Sequence, residues 1–157
     1  MSVRAAILAI GHRPPAWVES GLNEYAKRLP PQLRLEVSLL KPEERASGVT
    51  AEKVREREGE RLVAAIPKDS TVLALDERGT VVSTQGLSVM LAGWLRDGVN
   101  PTFLIGGAEG LSVAVKERAD KLLSISALTL PHELARILLV EQLYRAFTIL
   151  RGEPYHK

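Results

Sequence analysis

The residues best suited to binding a ligand in this sequence are glycines and small apolar residues, not an array of charged side chains. Gly106, Gly107 and Gly110 are spaced so that the backbone can approach a ligand closely and adopt positive φ angles. Residues 125–130 are small and mostly apolar, which suits a flat ring such as adenine. Leu75-Asp76 ends a third apolar run. Together these segments indicate a nucleotide-like site.

The same segments also have an interpretation without function. The phosphate-binding motifs GxGxxG and GxxxxGK[ST] are both absent, so a simple turn explains the glycines equally well. Residues 76–79, taken alone, indicate a solvated turn, and a histidine in the first turn of a helix, as at His132, is more often structural than catalytic. The residue pattern by itself therefore leaves the ligand open.

Composition restricts the class of protein. The 157 residues predict a single domain over residues 1–157, and 45% hydrophobic with 25% charged residues excludes a disordered or fibrous chain. The absence of cysteine and the wide spacing of the three histidines argue against a metal site.

No apolar run is long enough for a membrane span and no cleavage site follows residues 1–10, so we expect a cytoplasmic protein. A net charge of +2 argues against unaided electrostatic capture of nucleic acid.

Short apolar runs alternate with helical periodicities along the chain. The patterns predict strands at residues 3–10, 33–39, 71–75, 101–105 and 122–125, and helices at residues 14–29, 50–66, 83–97, 112–119 and 132–150. Thr50 and either Ser83 or Thr84 are the predicted N-caps of the second and third helices, and Asp97-Gly98 is predicted to end the third. Residues 41–50 are polar and predict a mobile loop. This alternation implies an α/β fold with a mostly parallel sheet covered on both faces. Ligands of such sheets bind at the carboxyl ends of the strands, where the three candidate segments fall.

The last helix is apolar on nearly all sides, so it needs cover on more than one side. The sheet covers one side, and a second subunit is the simplest cover for another, which predicts a symmetric homodimer. The alternative is a helix buried in the middle of one domain. That alternative is less common, because helices flanking a small sheet normally keep one solvated face.

Several strings of residues resemble one known family from end to end. They are LIGGAEGL at 104–111, SISALTLPHELARILLVEQLYRAF at 124–147 and the terminal PYHK at 154–157, together with the opening AIGHRPPAWV. In this order and spacing they resemble the RlmH family, small bacterial methyltransferases of the SPOUT superfamily. Ala108 stands where many members have proline. This residue only separates the glycines of a loop, so the difference does not weaken the resemblance.

The resemblance implies a SPOUT-type fold with a deep trefoil knot near the C-terminus and a homodimer joined through the last helices. It implies S-adenosyl-L-methionine (SAM) as cofactor, with no metal and no membrane partner. The implied reaction is methylation of N3 of a pseudouridine in 23S rRNA, on the assembled 70S ribosome. The small net charge agrees with a ribosome that supplies much of the recognition surface.

The resemblance also places the cofactor contacts. The residues implied are Leu75, Gly106 and Ile125, Ser126, Ala127, Leu128, Thr129 and Leu130, and the physical interpretation adds Gly107. The physical interpretation agrees, because backbone groups of residues 125–130 can pair with the adenine edge. The side chains of Leu75 and Leu130 can cover the faces of the ring.

The proton on pseudouridine N3 must be removed or polarised, and histidine has a suitable pKa range. His156 is the first candidate, with Tyr155 as a residue that stacks on the base and Lys157 as an rRNA contact. The five residues after Gly152 span roughly 17 Å when extended, enough to reach the partner's cofactor pocket. His132, Glu109 and Arg145 are second-rank candidates. The alternative is a frayed terminus without a role.

Two other classes of protein stay open from the sequence. One is a catalytically silent knotted protein that binds RNA and assists ribosome assembly. Such a protein has no need of a cofactor-binding site, so the intact GGAEG and ISALTL segments argue against it. The other is a flavodoxin-like enzyme, whose phosphate loop would follow the first strand. Here that position holds Pro14 and Pro15, which lack backbone donors.

Overall fold

The computed structural model describes residues 2–157, in which five strands alternate with five helices. The strands are β1 (Val3–Ile10), β2 (Leu33–Leu40), β3 (Ser70–Val81), β4 (Asn100–Ile105) and β5 (Lys121–Ser124). The helices are α1 (Ala16–Ala26), α2 (Ala51–Ala65), α3 (Thr84–Asp97), α4 (Val113–Arg118) and α5 (His132–Leu150). Every predicted strand and helix is confirmed, with ends shifted by a few residues.

The strands form one sheet in the order β2-β1-β4-β3-β5, and each neighbouring pair is parallel. The α/β class with a parallel sheet is therefore confirmed. A flavodoxin-like fold has the order 2-1-3-4-5, so that alternative is wrong. Because all strands are parallel, their carboxyl ends meet at one edge of the sheet.

Helices cover both faces of the sheet. On one face α1, α3 and α5 enclose the larger apolar core, which includes Ile7, Phe103, Leu91 and Leu143. On the other face α2 and α4 enclose a smaller core with Leu62, Leu104 and Val115. Since α4 and α5 lie on opposite faces, residues 125–131 carry the chain across the carboxyl edge of the sheet. The trefoil knot implied by the family resemblance stays a prediction.

Side chains predicted from the sequence as helix caps fix the helix ends. The hydroxyls of Thr50 and Ser83 accept hydrogen bonds from the backbone N–H groups of Lys53 and Gly86. Helix α3 ends at Gly98, whose φ of 66° is the left-handed conformation that glycine adopts most readily. These caps hold α2 and α3 at defined positions on the two faces of the sheet.

Strand β3 is interrupted where residues 76–79 leave the ladder. Leu75 and Thr80 both align with Leu123 of β5, so the four residues between them make an excursion at the carboxyl edge. A Cβ at Gly79 would stand 2.6 Å from the backbone carbon of Leu122, so only glycine fits this close approach. The sequence predicted that the strand ends at residue 75 and turns at residues 76–79; instead β3 continues to Val81, and these four residues form an irregularity within the strand.

Candidate functional site

A cleft of about 1460 Å³ opens at the carboxyl edge of the sheet. The ends of β3, β4 and β5 form its base, through Leu75, Ile105 and Ser124. Residues 106–113 and 125–131, together with one side of α2 and the start of α5, form its walls. All three segments singled out from the sequence thus border the same cleft.

Most of the predicted cofactor residues line this cleft. These are Leu75, Gly106, Gly107, Ile125, Ser126, Leu128, Thr129 and Leu130. Ala127 does not line it, although both of its neighbours in the chain do. The predicted set is therefore brought together by the fold, with one residue turned away from the cleft.

Residues 106–110 form a turn, called here the glycine turn. Its glycines are required by close packing or by a positive φ angle. A Cβ at Gly106 would lie 2.8 Å from the backbone of Gly110, and Gly110 itself has a φ of 81°. Gly107 accepts a hydrogen bond at its carbonyl from the N–H of Gly110, which closes the turn. A Cβ at Gly107 would meet the carboxylate of Glu58 at 3.1 Å. The turn therefore presents bare backbone to the cleft.

Two hydrogen bonds of serine side chains shape residues 125–130. The Ser124 hydroxyl donates to the carbonyl of Ser126, and the Ser126 hydroxyl accepts from the N–H of Leu128, both at 2.9 Å. In the part of the chain that the structure describes, the backbone N–H groups of Ile125, Ala127 and Leu130 have no hydrogen-bond partner. This segment therefore offers free backbone donors beside apolar side chains.

Two charged residues of the cleft, Lys116 and Arg55, were not singled out by the sequence patterns, whereas Asp76 was. Asp76 forms an ion pair with Lys116 of α4 at 2.8 Å. Burial by itself raises the pKa of Asp76, but hydrogen bonds from Lys116 and from the Arg78 N–H lower it overall. Arg55 of α2 also lines the cleft. The sequence does contain one indication of these charged residues. Helix α2 has only a narrow apolar stripe, so its charged face is available to border a site.

The loop of residues 41–50 packs behind the glycine turn. The backbone N–H of Glu43 donates to the carboxylate of Glu58, and the Glu43 carboxylate pairs with Arg61 at 2.7 Å. Arg45 forms an ion pair with Glu109, the second-rank candidate in the turn. The side chain of Glu109 is thus held by this loop, and Glu109 is also one of the residues that border the cleft.

The predicted catalytic residues lie at two separate places. His132 lines the cleft at the start of α5, whereas residues 153–157 do not. The Tyr155 hydroxyl donates to the Glu141 carboxylate at 2.8 Å, and the Tyr155 ring packs edge-on against Tyr144. Glu141 lies nine residues along the helix from His132, or about 14 Å. A single chain therefore does not bring Tyr155 and its neighbour His156 into its own cleft.

A network of hydrogen bonds fixes Tyr155 to α5. Arg145 pairs with Glu141 at 2.8 Å, and its guanidinium stacks over the Tyr155 ring at 4.5 Å. Burial would raise the pKa of Glu141, but hydrogen bonds from Arg145 and Tyr155 lower it overall. Burial and the bond to Glu141 raise the pKa of Tyr155, so its hydroxyl stays protonated at neutral pH. Tyr155 is therefore unsuited to act as the base, and Arg145 serves here to hold the tail.

Two kinds of feature are absent from residues 2–157. No cluster of three or more histidine, aspartate and glutamate side chains is arranged to hold a metal ion there. None of the helices in that range combines the length and apolar character needed to cross a bilayer.

Comparison of the sequence with known proteins defines the class of protein. The chain belongs to the SPOUT methyltransferase family, because the family model described as "Predicted SPOUT methyltransferase" matches residues 3–156. The chain is 52% identical over 151 residues to the ribosomal RNA large subunit methyltransferase H of Paraburkholderia xenovorans, covering 96% of this chain and 97% of that protein. It is 51% identical over 151 residues to the protein of the same name from Burkholderia multivorans, with the same coverage.

Two solved structures share the fold. A probable methyltransferase from Bordetella pertussis superposes with a TM-score of 0.62 at 18% identity, covering 92% of this chain and 96% of that one. A probable methylase family protein from Haemophilus influenzae gives a TM-score of 0.61 at 14% identity, covering 99% of this chain and 70% of that one. At such identities the likeness shows a common fold.

Proposed function

We propose that this chain is a SAM-dependent rRNA methyltransferase of the cytoplasm. Its substrate is N3 of a pseudouridine in 23S rRNA, methylated on the assembled 70S ribosome. The name shared by its relatives, ribosomal RNA large subunit methyltransferase H, supports the rRNA substrate. The observation that carries the proposal is that the glycine turn and residues 125–130 border one cleft at the carboxyl edge.

The residues present fit the cofactor. The unpaired N–H groups of Ile125 and Leu130, which both line the cleft, can donate to the nitrogens of an adenine ring. Leu75 and Leu130 supply apolar surface for its faces. Gly106 leaves room for close backbone approach. When bound, SAM supplies a methyl group on a sulfonium, whose sulfur leaves as a neutral thioether, so no metal is needed to stabilise the leaving group.

We assign the proton acceptor to His156 of a second copy of the chain. Since residues 153–157 do not line the chain's own cleft, His156 must act on a different cleft if it acts at all. Glu141 and Arg145 hold Tyr155 close to α5, which fixes the residue next to His156. The tail can then present His156 to the partner, with Tyr155 positioned to stack on the base.

The homodimer needed for this arrangement has an apolar surface available. Leu134 and Leu138 of α5 are 39% and 38% exposed, and Trp17 of α1 is 58% exposed. Helices α1 and α5 pack side by side, so these residues belong to adjacent helices. Burying such side chains against a second copy removes apolar surface from water. This agrees with the dimer predicted from the apolar character of α5.

A methyl-transfer assay tests the proposal. Purified protein and labelled SAM are incubated with 70S ribosomes that lack the modification, and in parallel with isolated 23S rRNA. We expect label on the ribosomes, and mass spectrometry of the digested rRNA should place the methyl group on a pseudouridine.

The other outcomes distinguish the alternatives. Binding of ribosomes without label transfer, and without cofactor binding by calorimetry, would identify a silent assembly factor. Label on isolated rRNA alone would overturn the assignment to the assembled ribosome.

A further inference from the structure

Arg136 of α5 is a buried cation without a partner. The residue is only 1% exposed, and it is the largest of the fully buried side chains. Its Nε and Nη1 atoms are sealed from solvent, and neither has a hydrogen-bond partner within residues 2–157. Burial lowers the pKa of Arg136, opposed by the Glu133 carboxylate, but the guanidinium stays charged at neutral pH.

This situation is unusual, because an unpaired buried charge is strongly destabilising. Other arginines of this chain follow the usual pattern and pair with carboxylates near the surface. They are Arg28, Arg45, Arg57, Arg61, Arg96, Arg145 and Arg151. A charge kept inside a protein without a partner indicates that something else supplies the partner.

The guanidinium lies at the edge of the sheet that carries the cleft. Side chains of a helix lean toward its N-terminus, and α5 begins at the carboxyl edge with His132 and Ala135 lining the cleft. The Nη2 atom of Arg136 is 2.9 Å from the position that a Cβ would occupy on Gly11. Gly11 directly follows the last residue of β1, so the cation sits beside the β1 end.

The neighbouring strand brings this place close to the glycine turn. β1 pairs with β4 in a register that aligns Ala9 with Ile105. Gly11, just after β1, therefore lies beside the start of the glycine turn, just after β4. The turn after β1 continues with the exposed residues His12 and Arg13. Neither Arg136 nor residues 11–13 line the cleft itself, so an anion would reach the guanidinium from the turn after β1, beside the cleft and past Gly11.

We propose that Arg136 binds an oxyanion of a reactant at the carboxyl edge. The inference rests on the proposed function, which offers two oxyanions, the carboxylate of the cofactor's methionine portion and a phosphate of the rRNA. A guanidinium suits either, because its donors bind two oxygens side by side. The partner missing from the folded chain is then supplied by the ligand.

The test compares Arg136→Met with the unaltered dimer. Calorimetry measures binding of S-adenosylhomocysteine and of its decarboxylated analogue, S-adenosyl-3-thiopropylamine. Methyl transfer measures the KM for unmodified ribosomes at several salt concentrations. Arg118→Met is the matched control, because Arg118 is exposed at the end of α4 and does not line the cleft.

If the carboxylate is the ligand, Arg136→Met weakens S-adenosylhomocysteine about 10- to 100-fold and leaves the decarboxylated analogue unchanged. If an rRNA phosphate is the ligand, both nucleosides bind as before, the KM rises and its salt slope falls by about one. Arg118→Met should change none of these quantities.

Two further variants keep the test valid should Arg136→Met fold poorly. Arg136→Lys keeps the charge but loses the paired donors, and Gly11→Ala pushes the end of the guanidinium aside, so both should show the same loss in smaller measure. Unchanged binding and KM in every variant, with only the melting temperature altered, would overturn the inference. Unaltered protein that binds no S-adenosylhomocysteine would overturn the proposed function as well.

Discussion

The charged residues toward the two ends of α5 differ in whether they have hydrogen-bond partners. Toward the C-terminus, Glu141, Arg145 and Tyr155 satisfy one another through short hydrogen bonds. Near the N-terminus, Arg136 is more deeply buried and has no partner for two of its nitrogens. The satisfied network stabilises the position of the tail. The unsatisfied cation lies at the edge where reactants are proposed to bind, so the two ends separate structural from ligand-directed charge.

The largest effect is expected from the tail. Deleting residues 154–157 removes Tyr155 and His156, and it should lower kcat by at least about 100-fold through loss of the general base. The affinity for S-adenosylhomocysteine should stay within a few-fold of the original value, because the proposed cofactor contacts are Leu75, Gly106 and residues 125–130, whereas the tail is proposed to contact the acceptor base. Methyl transfer and calorimetry measure the two quantities. Unchanged turnover would show that the tail is a frayed end without a role.

A smaller effect is expected from the glycine turn. Gly106→Ala places a Cβ 2.8 Å from the backbone of Gly110, which cannot move as easily as a side chain. We expect S-adenosylhomocysteine to bind at least about 10-fold more weakly, measured by calorimetry.

Gly93→Ala is the control, because the nearest atom to its added Cβ is the end of the flexible Arg96 side chain at 3.7 Å. In helix α3 this change should stabilise the fold by roughly 0.5–1 kcal/mol and leave binding unchanged. Equal binding by the two variants would contradict the account of the turn.

The smallest effect concerns the satisfied end of α5. Glu141→Gln weakens the bonds to Arg145 and Tyr155, and it should lower the free energy of unfolding by about 1–3 kcal/mol at pH 7. The folded pKa of Glu141 is below its ordinary value of 4.5, so this contribution is present above pH 4.5 and is lost as the pH falls through the folded pKa. Urea denaturation at neutral and acidic pH measures the difference between the two proteins.

An exposed pair gives the control for that measurement. Glu24→Gln also removes a carboxylate that pairs with an arginine, but both partners are solvated, so stability should hardly change. A difference between Glu141→Gln and the original protein that stays constant into acid would contradict the assigned role of the Glu141 carboxylate.

Local signals explain what the sequence predicted of the fold and the cleft. Ser83 and Gly98 cap α3 where their residue types predicted, and Gly106 and Gly110 stand directly after a predicted strand. These features depend on neighbouring residues in the chain. The alternation of strands and helices predicts a parallel sheet, and in a parallel sheet the carboxyl ends of all strands lie at one edge.

Other features of the site depend on contacts between distant residues. The ion pair of Asp76 with Lys116 joins residues 40 positions apart, and no local pattern predicts it. The docking of Tyr155 on Glu141 and the isolation of Arg136 likewise follow from how α5 packs. The strand order, with β4 between β1 and β3, was also beyond reach of local patterns.

A mixed dimer tests most directly whether one copy's cleft works with the other copy's tail. Two differently tagged chains are co-expressed, one carrying Gly106→Ala with an intact tail and one lacking residues 154–157 with an intact cleft. At a SAM concentration well below the dissociation constant of the Gly106→Ala cleft, each variant alone should be nearly inactive. The mixed dimer, isolated through both tags, should regain about half of the original turnover, because one of its two sites is complete. No recovery in an isolated mixed dimer would contradict a site shared between two copies.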